Sequence, residues 1–271
     1  MRACRTDKGV HAAGQVVSVK MLVKTTPEGE GSDPEEAALQ ATVPLLNAIL
    51  PADIRVFGIK RTANSFHAKE RCDSRFYEYL LPTYALAPAS SAPYLNPTPR
   101  PFADGPLLTA SQQRSGKKMD SDDEAEQLEA LEASEASTEW VSKLTEEEKQ
   151  LIKEYRVPEE RIQLLYSLLT KYKGTHPFHN FTIGKPASDI STRRHIFDVL
   201  LGKPFVKEGV EWISIMFHGQ SFMLHQIRKM VGLVVMASRL GCDHALIDRC
   251  FETSKVNIPK APSLGLLLDK V

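Results

Sequence analysis

A low-complexity segment over residues 86–150 separates two stretches of this chain that carry regular hydrophobic patterning. It starts with a run rich in Ala, Pro and Ser, and it ends in residues 119–150, which hold 12 acidic and 2 basic residues. A segment this poor in apolar side chains cannot bury a core, so we predict a disordered insert with at most nascent helix. We therefore expect an N-terminal subdomain over 1–85 and a C-terminal subdomain over 151–271.

The acidic segment also cancels the net positive charge of the remaining chain. The 34 basic and 34 acidic residues of the whole chain cancel, but 32 basic and 22 acidic residues lie outside 119–150. A basic body suits a polyanionic partner, because Lys and Arg neutralise phosphates and release counterions. The same excess is also ordinary for a soluble protein, so charge alone leaves a nucleic-acid partner open.

Composition narrows the class of protein further. No apolar run reaches the length of a membrane span, so we expect no membrane partner. The four cysteines show no metal-ligand spacing and fit free thiols in a reducing compartment.

The order of predicted elements favours an α+β fold. Strand and helix patterns occur in both halves without strict β-α-β alternation, which argues against a doubly wound sheet. The predicted strands are 14–22, 53–61, 74–81, 193–201, 211–219 and 265–271, and the predicted helices are 45–50, 158–174, 222–241 and 245–254.

The stretch RTDKG places one acid, Asp7, between Arg5 and Lys8. Flanking cations would keep the carboxylate ionised, and ionised Asp is a known covalent nucleophile. Taken alone, the pattern is more typical of an exposed ion-paired turn.

Two later segments carry polar groups that need an explanation. In SRFYEYLL, Arg75, Tyr77 and Tyr79 alternate and share one face of a strand, where they could stack on bases or simply form a half-buried sheet face. In the 222–241 helix, His225 and Arg228 lie on a polar strip beside an apolar face. A buried Arg228 requires an acidic partner, whereas an Arg at the surface does not.

Two further clusters are weaker. THPFHNFT contains His176 and His179, whose spacing could suit a metal, but no third ligand is near in sequence and a loop with inward Phe178 and Phe181 is favoured. The pair Arg193 and Arg194 suits phosphate contacts or a solvated strand start.

Six segments, in order along residues 3–85 and 160–271, resemble the motifs of the TruA family of tRNA pseudouridine synthases. The residues of several of these segments resemble those of the eukaryotic branch, which modifies several tRNA sites and other RNAs. The segments are CRTDKGVHAAGQVV, LLNAILPADIRV, NSFHAKERCDSRFYEYLL, KGTHPFHNFT, GQSFMLHQIRKMVGLVV and KAPSLGLLL.

The resemblance implies a pseudouridine synthase fold, with a largely antiparallel sheet in two subdomains around a cleft. It implies Asp7 as the nucleophile, Tyr77 stacking on the target uracil, and Arg228 pairing with Asp7. Arg5 would help the uridine leave its stack. The full set of side chains expected to contact RNA is Arg5, Lys8, His11, Arg75, Tyr79, Arg193, Arg194 and His225.

The implied activity is the isomerisation of uridine to pseudouridine in tRNA, with small nuclear RNA and mRNA as further candidate substrates. No metal or cofactor is expected, and the expected location is the nucleus or, for some copies, the mitochondrion. The family's first strand-helix unit precedes its R-T-D loop, and only six residues precede Asp7 here, so we expect an N-terminally truncated form. The alternatives are a non-catalytic RNA-binding protein on this scaffold and, on weaker grounds, a hydrolase using Asp7.

Overall fold

The computed structural model describes residues 1–22, 34–88, 144–242 and 244–271. Its contacts divide the chain into a smaller unit, Met1–Cys4 with Val16–Cys72, and a larger unit, Arg5–Gln15 with Asp73–Val271. The loop that carries Asp7 therefore groups with the C-terminal half. Most of the predicted 86–150 insert lies outside the described residues, so the boundaries predicted at 85 and 150 stay predictions.

The larger unit contains a mostly antiparallel sheet of seven strands, counted over the described residues. The strand order is β1-β7-β2-β6-β4-β3, β5 pairs with β6, and β1 runs parallel to β7. Together with the helices, this arrangement confirms the predicted α+β class. The strands are β1 His11–Ala12, β2 Arg75–Pro82, β3 Gly174–Pro177, β4 Arg193–Leu201, β5 Phe205–Lys207, β6 Val210–Gly219 and β7 Leu266–Lys270.

Five α-helices lie within the described ranges, and none of them combines the length and apolarity needed to cross a membrane. The helix α2 begins inside the segment expected to be an insert, where a capping box between Thr145 and Glu148 satisfies two backbone donors. The helices are α1 Pro34–Ile49, α2 Glu146–Glu154, α3 Glu159–Thr170, α4 Gln226–Leu240 and α5 Ala245–Arg249.

The core of the larger unit follows the sequence periodicity closely. Alternate residues of β6 are buried, and α3 and α4 contact each other through faces that are also buried. Phe178 and Phe181, predicted to face inward, are 0% exposed, and Phe181 packs edge-on against both Tyr172 and Phe178. This packing fixes α4, which carries part of the site.

Two strand predictions in the first half are wrong. Residues 14–22 form only an isolated bridge between Arg2 and Val17, and residues 53–61 form no strand. Both segments have strand-like composition, but a strand also requires a hydrogen-bonded neighbour along its length. Within the described part of the smaller unit these segments lack such a ladder, and Val17 and Phe57 are 59% and 88% exposed.

The α1 helix is longer than predicted and ends on a polar contact. It starts at Pro34, whereas the predicted helix began at residue 45, and it reaches Ile49. Near its end, the Asn47 side chain donates to the Val56 carbonyl and accepts from the Val56 amide. This one amide side chain thereby satisfies both backbone polar groups of Val56.

Candidate active site

Asp7 begins a tight turn that is built into the larger unit. The Val10 amide donates to the Asp7 carbonyl at 3.0 Å, and Gly9 has a φ of +78°. A positive φ at the third position of a turn favours glycine, which explains the Gly in RTDKG. Directly after the turn, His11 pairs with Leu267 of β7, so the loop is anchored to the sheet.

The N-terminus of α4 provides the facing side chains. The helix starts at Gln226 rather than at residue 222, because His225 has a left-handed backbone, with a φ of 61°, that a right-handed helix cannot include. A non-glycine residue rarely adopts this conformation, at a cost of roughly 1–2 kcal/mol. The side chain of His225 is completely buried.

The structure brings Asp7 together with both polar residues of α4. An Oδ2 atom of Asp7 lies 3.7 Å from Nη1 of Arg228 and 4.0 Å from Nε2 of His225. The side chains of Arg228 and Asp7 are only 10% and 14% exposed. Water therefore screens this pair weakly, and the positive charge favours an ionised carboxylate.

A neighbouring loop holds Arg228 in place. Its Nε donates to the Ala261 carbonyl at 2.8 Å, and the Ala261 amide donates back to the Arg228 carbonyl at 3.0 Å. The loop can approach this closely because α4 has no side chain at Gly232, where a Cβ would lie 2.1 Å from the Pro259 carbonyl oxygen. The contact of Ala261 was missed in the sequence analysis, although the APSLGLLL segment contains this residue.

Strand β2 contacts the loop that carries Asp7. Tyr77 is 5% exposed, its hydroxyl donates to the Arg5 carbonyl at 3.4 Å, and its ring packs edge-on against Phe222 at 5.2 Å. Tyr77 thus contacts Arg5, which lies two positions before Asp7, although Tyr77 and Asp7 are 70 positions apart in the sequence. Phe222 was not singled out from the sequence, because a Phe before a helix most often signals packing alone.

The other two residues on the same face of β2 are also buried. Tyr79 is 2% exposed and donates to the Pro262 carbonyl at 3.0 Å, and Arg75 is 9% exposed and donates to the Gln220 carbonyl. Burial raises the pKa of Tyr79, and the nearby Arg228 charge opposes this shift. The predicted shared face is confirmed, and its burial favours a packing role for both side chains over direct stacking on bases.

The remaining predicted RNA contacts divide into a near set and a far set. Arg5, Lys8 and His11 are exposed on or next to the Asp7 turn. Arg193 and Arg194 begin β4, which is separated from β1 by three strands, or about 19 Å along a sheet with about 4.8 Å per strand. The arginine pair therefore lies apart from the Asp7 cluster.

Among the residues that the structure describes, the histidine pair does not form a metal site. His176 bonds to the Lys173 carbonyl at 2.8 Å and stacks on Phe251, while His179 is buried with no hydrogen bond to its ring nitrogens from the described residues. Across the described ranges, no group of three His, Cys, Asp or Glu residues could hold a metal ion. The four cysteines are free thiols.

The fold and the site define an α+β protein whose sheet edge carries a shielded aspartate paired with an arginine. The family model described as tRNA pseudouridine synthase matches residues 168–271. The chain is 38% identical to tRNA pseudouridine synthase 1 of Candida albicans, with 99% of this chain and 47% of that protein covered. It is 36% identical to tRNA pseudouridine synthase 1 of Saccharomyces cerevisiae, with 99% and 51% covered.

A human protein, named Pseudouridylate synthase 1 homolog, is also 36% identical, with 100% of this chain and 46% of that protein covered. The chain belongs to the tRNA pseudouridine synthase family, and these relatives are eukaryotic. It spans about half the length of the curated relatives that it matches.

Proposed function

We propose that this chain carries the catalytic site of a pseudouridine synthase that isomerises uridine to pseudouridine in tRNA. The observation that supports this most directly is the shielded Asp7 carboxylate, held 3.7 Å from Arg228 and two residues after Arg5, whose carbonyl accepts a hydrogen bond from Tyr77. The names of the relatives support tRNA as the substrate. The reaction rearranges bonds within one nucleotide and needs no net oxidation or reduction.

The proposed reaction begins when the target uridine leaves its helix and enters the site, at an unstacking cost of a few kcal/mol. Exposed Arg5, Lys8 and His11 are placed to contact its backbone and offset this cost. Tyr77 and Phe222 form the apolar side of the site against which the base would lie.

Asp7 is the group proposed to act on the nucleotide. It either attacks the sugar or base, or removes a proton, so that the bond between C1′ and N1 breaks. The uracil turns, C5 bonds to C1′, and loss of the C5 proton with protonation of N1 completes the isomerisation. Arg228 has the role of keeping the carboxylate ionised and oriented, because removing water from an unpaired carboxylate would favour its protonation.

The test is tritium release from tRNA labelled at C5 of uridine. Asp7→Asn preserves the size of the side chain but removes its charge, so release should fall to background while tRNA binding and thermal unfolding stay close to those of the wild type. Glu160→Gln, an exposed position on α3, is the matched control for removal of one negative charge and should keep full release. Release by the Asp7→Asn variant at the wild-type rate would contradict the proposal.

The same assay separates the alternative of a non-catalytic RNA-binding protein. That alternative predicts salt-sensitive tRNA binding by the wild-type chain without any tritium release. A hydrolase would instead release free uracil, or cleave the RNA, in place of pseudouridine.

We extend the proposal to substrate range and location. Small nuclear RNA and mRNA are proposed as further substrates, and the nucleus is proposed as the place of action. Mapping of pseudouridine in cellular RNA after deletion of the gene would test the substrate range. Loss of sites in small nuclear RNA and mRNA would support it, and loss of tRNA sites alone would contradict it. Fluorescence microscopy of a tagged full-length protein would test the second, and exclusion from the nucleus would contradict it.

A further inference from the structure

A loop over residues 254–261 is held at one end by Asn180 and at the other end by Arg228 of α4. At one end, the Asn180 side chain donates to the Ser254 carbonyl and accepts from the Val256 amide, both at 2.9 Å. At the other end, Ala261 and Arg228 exchange two hydrogen bonds. These contacts define where Lys255 and Lys260, which belong to this loop, are located.

A third lysine lies on α4 between the two anchors. The Nζ of Lys229 donates to the carbonyls of Asn180 at 3.2 Å and Thr182 at 3.0 Å. Burial lowers the pKa of Lys229, and the positive charges of Lys260 and Lys255 lower it further. Lys229 is therefore close enough to both loop lysines for their charges to repel its own.

Mutual repulsion of this kind is unfavourable in the free protein, and it becomes favourable when an anion binds among the charges. Anchoring the loop explains Lys229, whose bonds join α4 to residues 180–182. Lys255 is exposed and Lys260 is partly exposed, so both loop lysines can reach a ligand at the surface.

We propose that Lys229, Lys255 and Lys260 form a binding site for one backbone phosphate of the RNA, beside the nucleotide that enters the Asp7 site. Lys229 follows Arg228 directly, so the helix turns it about 100° away from Asp7 and onto an adjacent surface. Lys260 precedes Ala261, whose carbonyl holds Arg228. A phosphate bound here would connect RNA binding to the loop that positions the arginine. This inference rests on the proposed function.

The test compares two double variants of equal charge in the full chain. Lys255→Gln with Lys260→Gln removes two of the proposed ligands, whereas Lys203→Gln with Lys207→Gln removes two exposed lysines near β5. tRNA affinity is measured for each between roughly 50 and 200 mM salt, the range over which phosphate contacts dominate binding. Neither variant replaces a buried side chain, so both should fold.

The loop variant should bind tRNA about fivefold to tenfold more weakly at low salt, and its slope of log K against log salt should fall by about 1. The control should keep the wild-type slope. Equal slopes in the two double variants would overturn the phosphate site. A wild-type chain that binds no tRNA at all would instead contradict the proposed function itself.

A neutral linkage in the RNA locates the contact. tRNA substrates with a single methylphosphonate on either side of the mapped target uridine should bind the wild type more weakly at one linkage. In the loop variant, the methylphosphonate at that same linkage should lower tRNA affinity little further, because the substitutions and the neutral linkage remove the same interaction. Additive losses at both linkages would show that these lysines contact a different part of the RNA, and would overturn the assigned position.

Discussion

Replacement of Arg228 is the perturbation for which the structure defines the expected effect most clearly. Arg228→Met keeps the length and the apolar stem of the side chain but removes the charge facing Asp7 and the donor to Ala261. Arg228→Lys restores a charge without the planar guanidinium, so it should recover only part of the loss.

The magnitude follows from the distance between the charges. At 3.7 Å, and with an effective dielectric constant of about 20, two unit charges attract by about 4.5 kcal/mol. Breaking a buried ion pair by removing one partner typically costs about 3–5 kcal/mol, which agrees with this value. If the loss falls on the reacting carboxylate, kcat/KM should drop on the order of 10²- to 10³-fold.

Tritium release under single-turnover conditions, normalised to folded protein, measures this loss. Arg239→Met is the matched control, since it removes the same side chain from the last turn of the same helix. The control should keep kcat/KM within about threefold. An Arg228→Met variant with the wild-type kcat/KM would refute the role of the ion pair, even if its Tm were lower.

Three further predictions concern the framework. Gly232→Ala should lower Tm, because its Cβ would meet the Pro259 carbonyl oxygen at 2.1 Å; an unchanged Tm would contradict this close packing. Glu211→Ala should cost about 2–3 kcal/mol in urea unfolding, since Val157 loses the acceptor of its buried amide, whereas a neutral change would argue against that contact. Burial raises the pKa of Cys250 to about 11, so iodoacetamide at pH 8 should label it only after unfolding, and rapid native labelling would disagree.

The parts of the fold that could be predicted are those in which burial has a regular period. The alternation in SRFYEYLL predicted β2, with Tyr77 and Tyr79 on one buried face, and the apolar spacing in 222–241 predicted the body of α4. Periodicity failed at 14–22 and 53–61, because apolar composition does not supply the neighbouring strand that a ladder requires. The start of α4 was placed four residues too early, since a left-handed backbone at His225 has no reliable signal in composition.

The candidate site, like the fold, has features that the sequence determined and features that only the tertiary structure decided. Sequence alone determined that Asp7 lies on a glycine-containing turn between cations and that an arginine on a largely apolar helix would need a partner. The resemblance to the family joined the two residues. Only the tertiary structure decided that His225 also faces Asp7, that the Ala261 carbonyl holds Arg228, and that Lys255 and Lys260 lie near Lys229. These contacts join loops that are distant in the chain, so their geometry depends on how the whole sheet and α4 pack, which no local pattern encodes.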